Sequence, residues 1–264
     1  MTAAAKQALQ KEGPGTMFRR ILGVRFFVGG AREAIELLSG GGLLVVPGAP
    51  ALKNLPEDNA YREALLEADV AIADSSLMVM VWNFLQKDRI RRLSGLEYLV
   101  ELLTVPAVKL SGGSFWIMAS PESADRNLAW LEAHGVRVPP EDVYLAPRYG
   151  SVIDDKSLLQ KIRERKPPHV VVTIGGGTQE RLGLYLKRNL NPLPAIHCIG
   201  AAIAFLSGDQ VRIPLWADRM YLGWIFRCVS EPKRCVPRYW SARKLVSLLV
   251  RFRGGLPVPA ARHL

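Results

Sequence analysis

Residues 170–180 have the sequence VVVTIGGGTQE, in which a run of β-branched residues ends at three glycines and a helix-forming segment follows. A continuous apolar run without polar alternation is typical of a strand buried on both faces of a parallel sheet. Short apolar runs alternate with helix-period segments along most of the chain. The pattern predicts an α/β fold with a doubly wound, mainly parallel, Rossmann-like sheet.

Seven strands and seven helices are predicted. The strands cover residues 24–28, 43–46, 69–73, 115–118, 143–145, 170–174 and 196–199, and the helices lie near 30–39, 57–67, 76–86, 96–103, 121–134, 154–165 and 178–189. The longest uncharged run, residues 189–208, contains Asn and Pro and predicts a loop followed by a buried strand rather than a membrane span. We expect an N-terminal extension over residues 1–20 and one core domain over 21–208.

The formal charge of +11 is concentrated near the C-terminus. Residues 1–208 contain 24 Lys and Arg against 21 Asp and Glu, whereas residues 209–264 contain 11 against 3. The second segment therefore has a net charge of +8, and it also holds three of the six tryptophans. This composition predicts a basic, aromatic, helical appendage that associates with an anionic membrane surface. No nucleic-acid partner is expected, because no recognised DNA- or RNA-binding module is visible.

The composition also bears on compartment and metals. Three cysteines without metal-ligand spacing indicate neither a disulfide framework nor a zinc site, and the N-terminal residues lack the pattern of an export signal. The four histidines are scattered, and no Asp-x-Asp pair is present to hold a metal on a nucleotide diphosphate. We expect a cytoplasmic protein, peripheral to the inner face of the cell membrane, without a metal cofactor.

Candidate site residues follow the predicted strands, because ligands of open α/β sheets bind outside the carboxyl ends of the strands. Asp74 ends an apolar strand, where burial would raise its pKa and suit it to act as a general base. An N-cap of the next helix accounts for Asp74 equally well, since Ser75 follows it at a helix start. Both interpretations remain open on the sequence.

Two further features suggest phosphate chemistry. The backbone N–H groups of Gly175, Gly176 and Gly177 at a helix N-terminus can bind a phosphate, although a tight turn explains the glycines as well, and neither a GxGxxG nor a P-loop motif is present. Arg92 can hold a diphosphate or neutralise it as it leaves. Its neighbour Arg91 is interpreted as part of a solvated charge cluster.

Taken together, these residues resemble the WecG/TagA/CpsF family of bacterial glycosyltransferases, glycosyltransferase family 26, over about residues 21–250. Six segments resemble family motifs in order: 68–74 the "AD…DG" strand, 92–97 "RxTGxD", 175–180 "GxPxQE", 200–208 "GxxFDFxxG", 212–214 "RAP", and 223–239 the "EW…R…EPxR…RRY" tail. The resemblance implies inverting, metal-independent transfer of a sugar, N-acetylmannosamine or a variant, from a UDP-sugar to a polyprenyl-diphosphate-linked sugar in cell-surface polysaccharide synthesis.

The resemblance also implies roles for particular residues. Asp74 is the proposed base, Arg92 stabilises the leaving diphosphate, and Gln179 lines the same pocket. Gly95, Glu180 and the glycines 175–177 are expected at the nucleotide sugar, and Tyr149 matches the family's "GY" as a nucleobase or ribose contact. The tail contributes candidate contacts to lipid headgroups or the acceptor diphosphate: Arg212, Arg219, Arg227, Arg234 and Arg238.

Several positions depart from the family pattern. The expected Thr and Asn fall on Pro47 and Ala49, the expected Gly and Asp on Ser75 and Glu97, and the aspartate expected near the nucleotide on Ala204. Since a site that binds by hydrogen bonds discriminates through them, the donor sugar is left open. The alternative is a non-catalytic member that binds nucleotide or lipid as a membrane-assembly scaffold. The oligomeric state is also open, a homo-oligomer included.

Overall fold

One eight-stranded sheet organises the part of the chain described by the computed structural model, residues 16–210, 214, 216–217 and 220–257. The strands are β1 (Phe18–Ile21), β2 (Val24–Phe27), β3 (Gly42–Val45), β4 (Val70–Ile72), β5 (Ser114–Met118), β6 (Val143–Leu145), β7 (His169–Val172) and β8 (Ala195–Cys198). Their spatial order is β1-β2-β4-β3-β8-β7-β5-β6. Only the β1–β2 pair of these strands is antiparallel.

All seven predicted strands are confirmed to within two residues, and β1 is an addition. Its sequence, FRRI, lacks the continuous apolar run by which the other strands are recognised, because its two central residues are arginines. β1 pairs with β2 through a tight turn, with Phe18 opposite Phe27. The sheet therefore begins inside the segment expected to be an N-terminal extension.

The seven predicted helices are also confirmed, and further helices accompany them. The bounds are α1 (Ala31–Leu37), α2 (Ala49–Leu52), α3 (Asn59–Leu66), α4 (Ser76–Leu85), α5 (Gly95–Leu102), α6 (Pro106–Lys109), α7 (Pro121–Ala133), α8 (Lys156–Arg165), α9 (Thr178–Asn189), α10 (Ala202–Ser207), α11 (Gly223–Ser230), α12 (Pro232–Ser241) and α13 (Lys244–Phe252). The uncharged run 189–208 forms β8, as predicted, and then α10. None of the helices in the described residues is long and apolar enough to cross a bilayer.

Helices cover both faces of the sheet, which confirms the doubly wound arrangement. Alternate residues of one strand enter opposite cores: Leu43 and Val45 of β3 join one cluster, and Leu44 joins the other. Buried residues of α3, α4, α8, α9 and α13 complete the first cluster, and those of α1, α5, α6, α7 and α10 the second. Two-sided burial explains why the strands in the middle of the sheet are mainly apolar.

The C-terminal segment is partly integrated into the core. Leu245 and Leu249 of α13 are fully buried in the first cluster, and α13 packs against α4. Backbone N–H groups of Leu22 and Gly23 donate to the carbonyls of Arg253 and Gly254 at 2.7 and 3.1 Å. The expected appendage therefore contains at least one helix that stabilises the α/β unit itself.

Candidate active site

A cleft of about 400 Å³ lies at the carboxyl edge of the sheet. Residues following five neighbouring strands line it, including Gly48 after β3, Asp74 after β4, Ser120 after β5, Gly175 after β7 and Gly200 after β8. Parallel strands bring their carboxyl ends to one edge, so segments far apart in sequence converge here. The cleft is where the strand pattern predicts a ligand site.

Asp74 is placed in this cleft, and its neighbours decide between the two interpretations left open by the sequence. Ser75, not Asp74, caps α4: its Oγ accepts from the Met78 N–H at 3.2 Å. The Asp74 carboxylate instead reaches α5, where Oδ1 accepts from the Gly95 N–H at 3.1 Å. The apolar burial expected for Asp74 is absent, because its side chain is 29% exposed beside a guanidinium. An exposed carboxylate in a cleft is accessible to a reacting group.

The Arg92 guanidinium forms two hydrogen bonds with Asp74. Its Nε donates to the Asp74 main-chain carbonyl at 2.5 Å, and its Nη2 lies 3.3 Å from Oδ1. The arginine side chain is only 12% exposed, and its guanidinium lies over the ring of Tyr221 at 5.8 Å. The planar fork therefore fixes the main chain and the carboxylate of Asp74 together.

Helix α5 is itself anchored so that Gly95 can reach Asp74. Ser94 caps the helix by accepting from the Glu97 N–H at 3.0 Å. One turn later, the Tyr98 hydroxyl and His197 Nδ1 form a buried hydrogen bond of 2.7 Å to β8. A Cβ at Gly95 would lie 3.1 Å from Val46 Cγ1, so glycine permits the helix to approach the end of β3 closely.

The glycine turn after β7 forms another side of the cleft. Gly177 has φ of +92°, so the turn conformation itself accounts for this glycine. A Cβ at Gly175 or Gly176 would meet nothing within 4 Å, yet both positions line the cleft. The protein's own packing does not require glycine at these two positions. Glycine at positions 175 and 176 would let a ligand approach the backbone N–H groups closely, as in phosphate sites at helix N-termini.

Gln179 and Glu180 lie beneath this turn in α9. Gln179 lines the cleft although it is 2% exposed, and Glu180 is fully buried behind it. Glu180 Oε2 accepts from the Gly177 N–H at 2.6 Å, and Oε1 accepts from Gln179 Nε2 at 3.2 Å. Burial raises the pKa of Glu180 to about 7, because the charged carboxylate is desolvated. The pair fixes the shape of the turn from below.

Helix α7 and the end of α10 contribute a polar wall that was not predicted. Asn127 and Ser123, four residues apart on α7, both line the cleft, and Ser123 Oγ donates to Asp209 at 2.8 Å. Gln210 N–H donates to the Ala204 carbonyl at 2.9 Å, which folds residue 209 back towards residue 204. The cleft thus has a carboxylate at Asp209, close in the chain to the alanine at 204.

The C-terminal segment closes the cleft. Glu231 precedes α12, and Cys235 and Tyr239 follow at intervals of four residues on that helix; all three line the cleft. This spacing places them on one helical face. Glu231 and Tyr239 belong to the motifs on which the family resemblance rests, but neither was predicted to be a site residue. The segment therefore has a role in the pocket as well as any role at a membrane.

Comparison with known proteins agrees with this geometry. The sequence profile of the glycosyl transferase WecG/TagA/CpsF family matches residues 19–255.

The chain belongs to the WecG/TagA/CpsF family.

It is accordingly a glycosyltransferase, as predicted from the sequence.

Two relatives in the family carry the same name, N-acetylglucosaminyldiphosphoundecaprenol N-acetyl-beta-D-mannosaminyltransferase. The protein from Bacillus spizizenii (strain W23) is 25% identical over 193 residues, which cover 69% of this chain and 70% of the relative. The protein from Staphylococcus aureus (strain MW2) is 23% identical over 194 residues, covering 73% and 74%. The profile match over residues 19–255 shows the family, and the names of these two relatives describe those proteins.

The structure brings seven of the fourteen catalytic and substrate-binding residues predicted from the WecG/TagA/CpsF resemblance into the cleft. These are Asp74, Arg92, Gly95, Gly175, Gly176, Gln179 and Ala204. The others are not among the described residues that line it: Pro47, Ala49, Ser75, Glu97, Tyr149, Gly177 and Glu180. Ser75, Gly177 and Glu180 are immediate neighbours of residues in the first group, and Pro47 and Ala49 flank Gly48, which lines the cleft. Ser75 and Glu97 have local partners, a helix cap and the Arg91 guanidinium at 2.5 Å. Adjacency in the motif did not tell which side chain faces the cleft.

Tyr149 does not line the cleft and has a structural partner of its own. Its hydroxyl donates to Asp155 Oδ2 at 2.7 Å, and burial, followed by this carboxylate, raises the pKa of Tyr149. Arg181 ties the adjacent loop to the glycine turn by donating to the carbonyls of Ser151 and Gly177 at 2.9 and 3.1 Å. The tyrosine therefore has a structural partner, and a nucleobase contact at this position stays a prediction.

The structure does not test the predicted roles of the five tail arginines. Arg212 and Arg219 lie outside the described residues. Arg227 belongs to α11, and Arg234 and Arg238 belong to α12, but the description does not extend to their side chains. Their contacts with lipid or acceptor diphosphate stay predictions. Among residues 16–210, 214, 216–217 and 220–257, no group of three His, Cys, Asp or Glu side chains could hold a metal ion. Metal independence of the reaction stays a prediction.

Proposed function

We propose that this protein transfers an N-acetylmannosamine-like sugar from a UDP-sugar to a polyprenyl-diphosphate-linked sugar, with inversion and without a metal. The observation that carries the proposal is the fixed Asp74–Arg92–Gly95 arrangement facing the Gly175–Gly176 turn across one cleft. The names of the two relatives support an acceptor of the undecaprenyl-diphosphate N-acetylglucosamine type.

The hydrogen bonds of Asp74 suit it to receive a proton. Oδ1 accepts from Gly95 and Arg92, whereas no described residue donates to Oδ2. The acceptor hydroxyl binds to Oδ2, and as its oxygen forms the new bond to the anomeric carbon, its proton passes to the carboxylate. The bond from that carbon to the diphosphate breaks on the opposite face, and UDP leaves. A single displacement of this kind inverts the anomeric configuration.

The glycine turn suits the diphosphate. Unhindered backbone N–H groups at the N-terminus of α9 stabilise negative charge through the helix dipole and direct hydrogen bonds. The carboxylates of Asp209 and Glu231 also line the cleft, and the hydroxyl groups of a sugar or ribose are suitable partners for them. We therefore propose that the nucleotide sugar binds with its diphosphate against the glycine turn.

A donor panel tests the proposal. Purified protein is incubated with a short-chain polyprenyl-diphosphate N-acetylglucosamine and, in turn, UDP-N-acetylmannosamine, its uronic acid and UDP-N-acetylglucosamine, with and without EDTA. We expect one donor to give acceptor-dependent UDP release, unchanged by EDTA, and a product of inverted anomeric configuration by NMR. Calorimetric binding of UDP without transfer from any donor would favour the non-catalytic alternative.

The exposed side chains of the C-terminal segment support a membrane-bound acceptor. Apolar side chains on this segment are exposed at Trp216, Met220, Trp224, Ile225, Val229, Val236 and Trp240. Their helices belong to the segment of residues 209–264, which has 11 cationic against 3 anionic residues. Aromatic groups that enter the headgroup region beside cations bind anionic bilayers. We therefore propose a peripheral location on the inner face of the cell membrane.

Replacing Trp224 and Trp240 by serine together is expected to weaken binding to phosphatidylglycerol vesicles about tenfold or more, since burial of large apolar side chains drives the partition. Vesicle flotation measures it. Val152→Ser, in the exposed loop between β6 and α8, is the matched control and should float like the wild type. Truncation near Asp209 is a poorer test, because it also removes the α12 wall of the cleft and the buried leucines of α13. Equal flotation of the double variant would contradict the assignment.

A further inference from the structure

Gln179 carries a buried acceptor that no part of the described chain satisfies. Its side chain is 2% exposed and lines the cleft, and no donor among the described residues reaches its Oε1. Leaving such an atom unpaired costs free energy, so native proteins rarely retain one without a partner. The amide faces Gly200, where a Cβ would lie 3.5 Å from Oε1 and 3.4 Å from Nε2, so glycine keeps the approach open.

The neighbouring carboxylate decides which end of the amide faces the cleft. Ionised Glu180 can only accept hydrogen bonds, and its Oε2 is already bound to the Gly177 N–H at 2.6 Å. Its Oε1 therefore requires a donor from Gln179, which Nε2 supplies at 3.2 Å. Turning the amide round would place two acceptors against each other. Because Glu180 is fully buried, no solvent relieves that repulsion.

We propose that Gln179 presents a fixed hydrogen-bond acceptor to an O–H or N–H donor of the nucleotide sugar, and that Glu180 is the positioning residue that fixes this polarity. A phosphate oxygen, which only accepts, does not fit at this position. The identification of the ligand as a nucleotide sugar rests on the proposed function. The O–H or N–H group that donates to Gln179 belongs either to the nucleoside or to the transferred sugar, and the experiment below distinguishes these two possibilities.

The surroundings of Glu180 make this polarity sensitive to pH. Tyr61 of α3, Cys198 of β8 and Arg181 of α9 are the titratable groups that interact with it. Desolvation outweighs the attraction of Arg181 and raises the pKa of Glu180 to about 7. Protonated Glu180 can donate to Gln179 Oε1, which permits the amide to turn its Nε2 to the cleft. Ligand affinity should therefore be high above pH 7, where the carboxylate is ionised, and fall below it.

Glu180→Gln reproduces the low-pH state at every pH. A glutamine at 180 accepts from the Gly177 N–H through its oxygen and so offers its own NH₂ to Gln179, which reverses the Gln179 amide. Glu164→Gln is a matched control, because Glu164 also accepts from a glutamine, Gln160 at 2.9 Å, on the exposed face of α8. Thermal unfolding establishes that the variants compared are folded.

Calorimetry with UDP-N-acetylmannosamine between pH 5.5 and 8.5 is the test, since the diphosphate of this probe carries no phosphate monoester that titrates in the range. We expect wild-type affinity to rise about tenfold across pH 7, and Glu180→Gln to bind about tenfold more weakly at pH 8 and independently of pH. If Glu180→Gln also binds UDP about tenfold more weakly at pH 8, the group that donates to Gln179 belongs to the nucleoside. If the variant loses affinity only for UDP-N-acetylmannosamine, that group belongs to the sugar.

Two outcomes would overturn the inference, and they are distinguishable. Binding of the probe with a flat wild-type pH profile, or with equal affinity in wild type and Glu180→Gln, removes the polarity assignment while the proposed function stands. Absence of binding of both nucleotides to the wild type at millimolar concentration removes the proposed function and the inference with it. If Glu180→Gln fails to fold, the wild-type pH profile alone decides.

Discussion

Asp74→Asn is expected to lower kcat by about 10²- to 10⁴-fold, the range that a positioned general base contributes. The amide keeps the size of the side chain and can still accept from the Gly95 N–H, so the cleft retains its shape. It cannot take the proton of the acceptor hydroxyl. Steady-state kinetics with the active donor from the panel measure kcat, and calorimetry should show an unchanged affinity for the nucleotide sugar within a few-fold.

Asp69→Asn is the matched control for this variant. Asp69 directly precedes the same strand, β4, and so lies at the amino ends of the strands, away from the cleft at their carboxyl ends. Its carboxylate accepts from the Leu43 N–H at 2.8 Å. Asparagine can preserve this bond, and we expect kcat close to that of the wild type. Full activity in Asp74→Asn would remove the base assignment, whatever the control shows.

Arg92→Lys is expected to reduce kcat/KM by about 10²-fold, although it conserves the charge. A lysine ammonium cannot hold the Asp74 carbonyl and carboxylate together as the guanidinium does. Loss of one such electrostatic contact in an active site costs about 10²- to 10³-fold. Arg91→Lys is the control, because Arg91 is exposed and bound to Glu97, and its kinetics should match the wild type. Wild-type kinetics in Arg92→Lys would refute a role in the site.

The double variant Asp74→Asn with Arg92→Lys tests whether Arg92 positions Asp74 or stabilises the leaving diphosphate directly. If the arginine acts by positioning Asp74, adding Arg92→Lys to Asp74→Asn should cost little more, because the residue it positions has already lost its function. If it stabilises the leaving diphosphate directly, as the family resemblance implies, the two losses should multiply. The geometry, in which Nε and Nη2 are both bound to Asp74, favours the first result.

Strands and helices were predictable because the order of apolar and polar residues along the chain indicates which residues are buried. β3 and residues 170–172 of β7 are apolar and buried, since helices cover the sheet on both faces. Periods of 2 and 3.6 residues separate strands from helices. β1 was missed for the same reason, because two of its four residues are arginines. A search for continuous apolar runs therefore found β6, the strand at the other edge of the sheet, but not β1.

The site was predictable only where a residue directly follows a strand. Asp74 and the glycine turn were found in this way, whereas Asn127, Asp209 and Cys235 reach the cleft through helix packing and a chain reversal. The i, i+4 spacing of Ser123 and Asn127 at the start of α7 was an available signal. The spacing of Glu231, Cys235 and Tyr239 was another, but a sequence does not tell which face of an amphipathic helix meets the core.

The sequence by itself determined the parallel α/β sheet, the family, the edge at which ligands bind and the uneven distribution of charge. These properties depend on local composition and on residues next to one another in the chain. The tertiary structure alone decided that Ser75 rather than Asp74 caps α4, that Arg92 is bound to Asp74, and that the basic C-terminal segment walls the cleft. It also decided the direction of the Gln179 amide. Each of these depends on which groups compete for one hydrogen bond, and that competition exists only once distant segments have packed together.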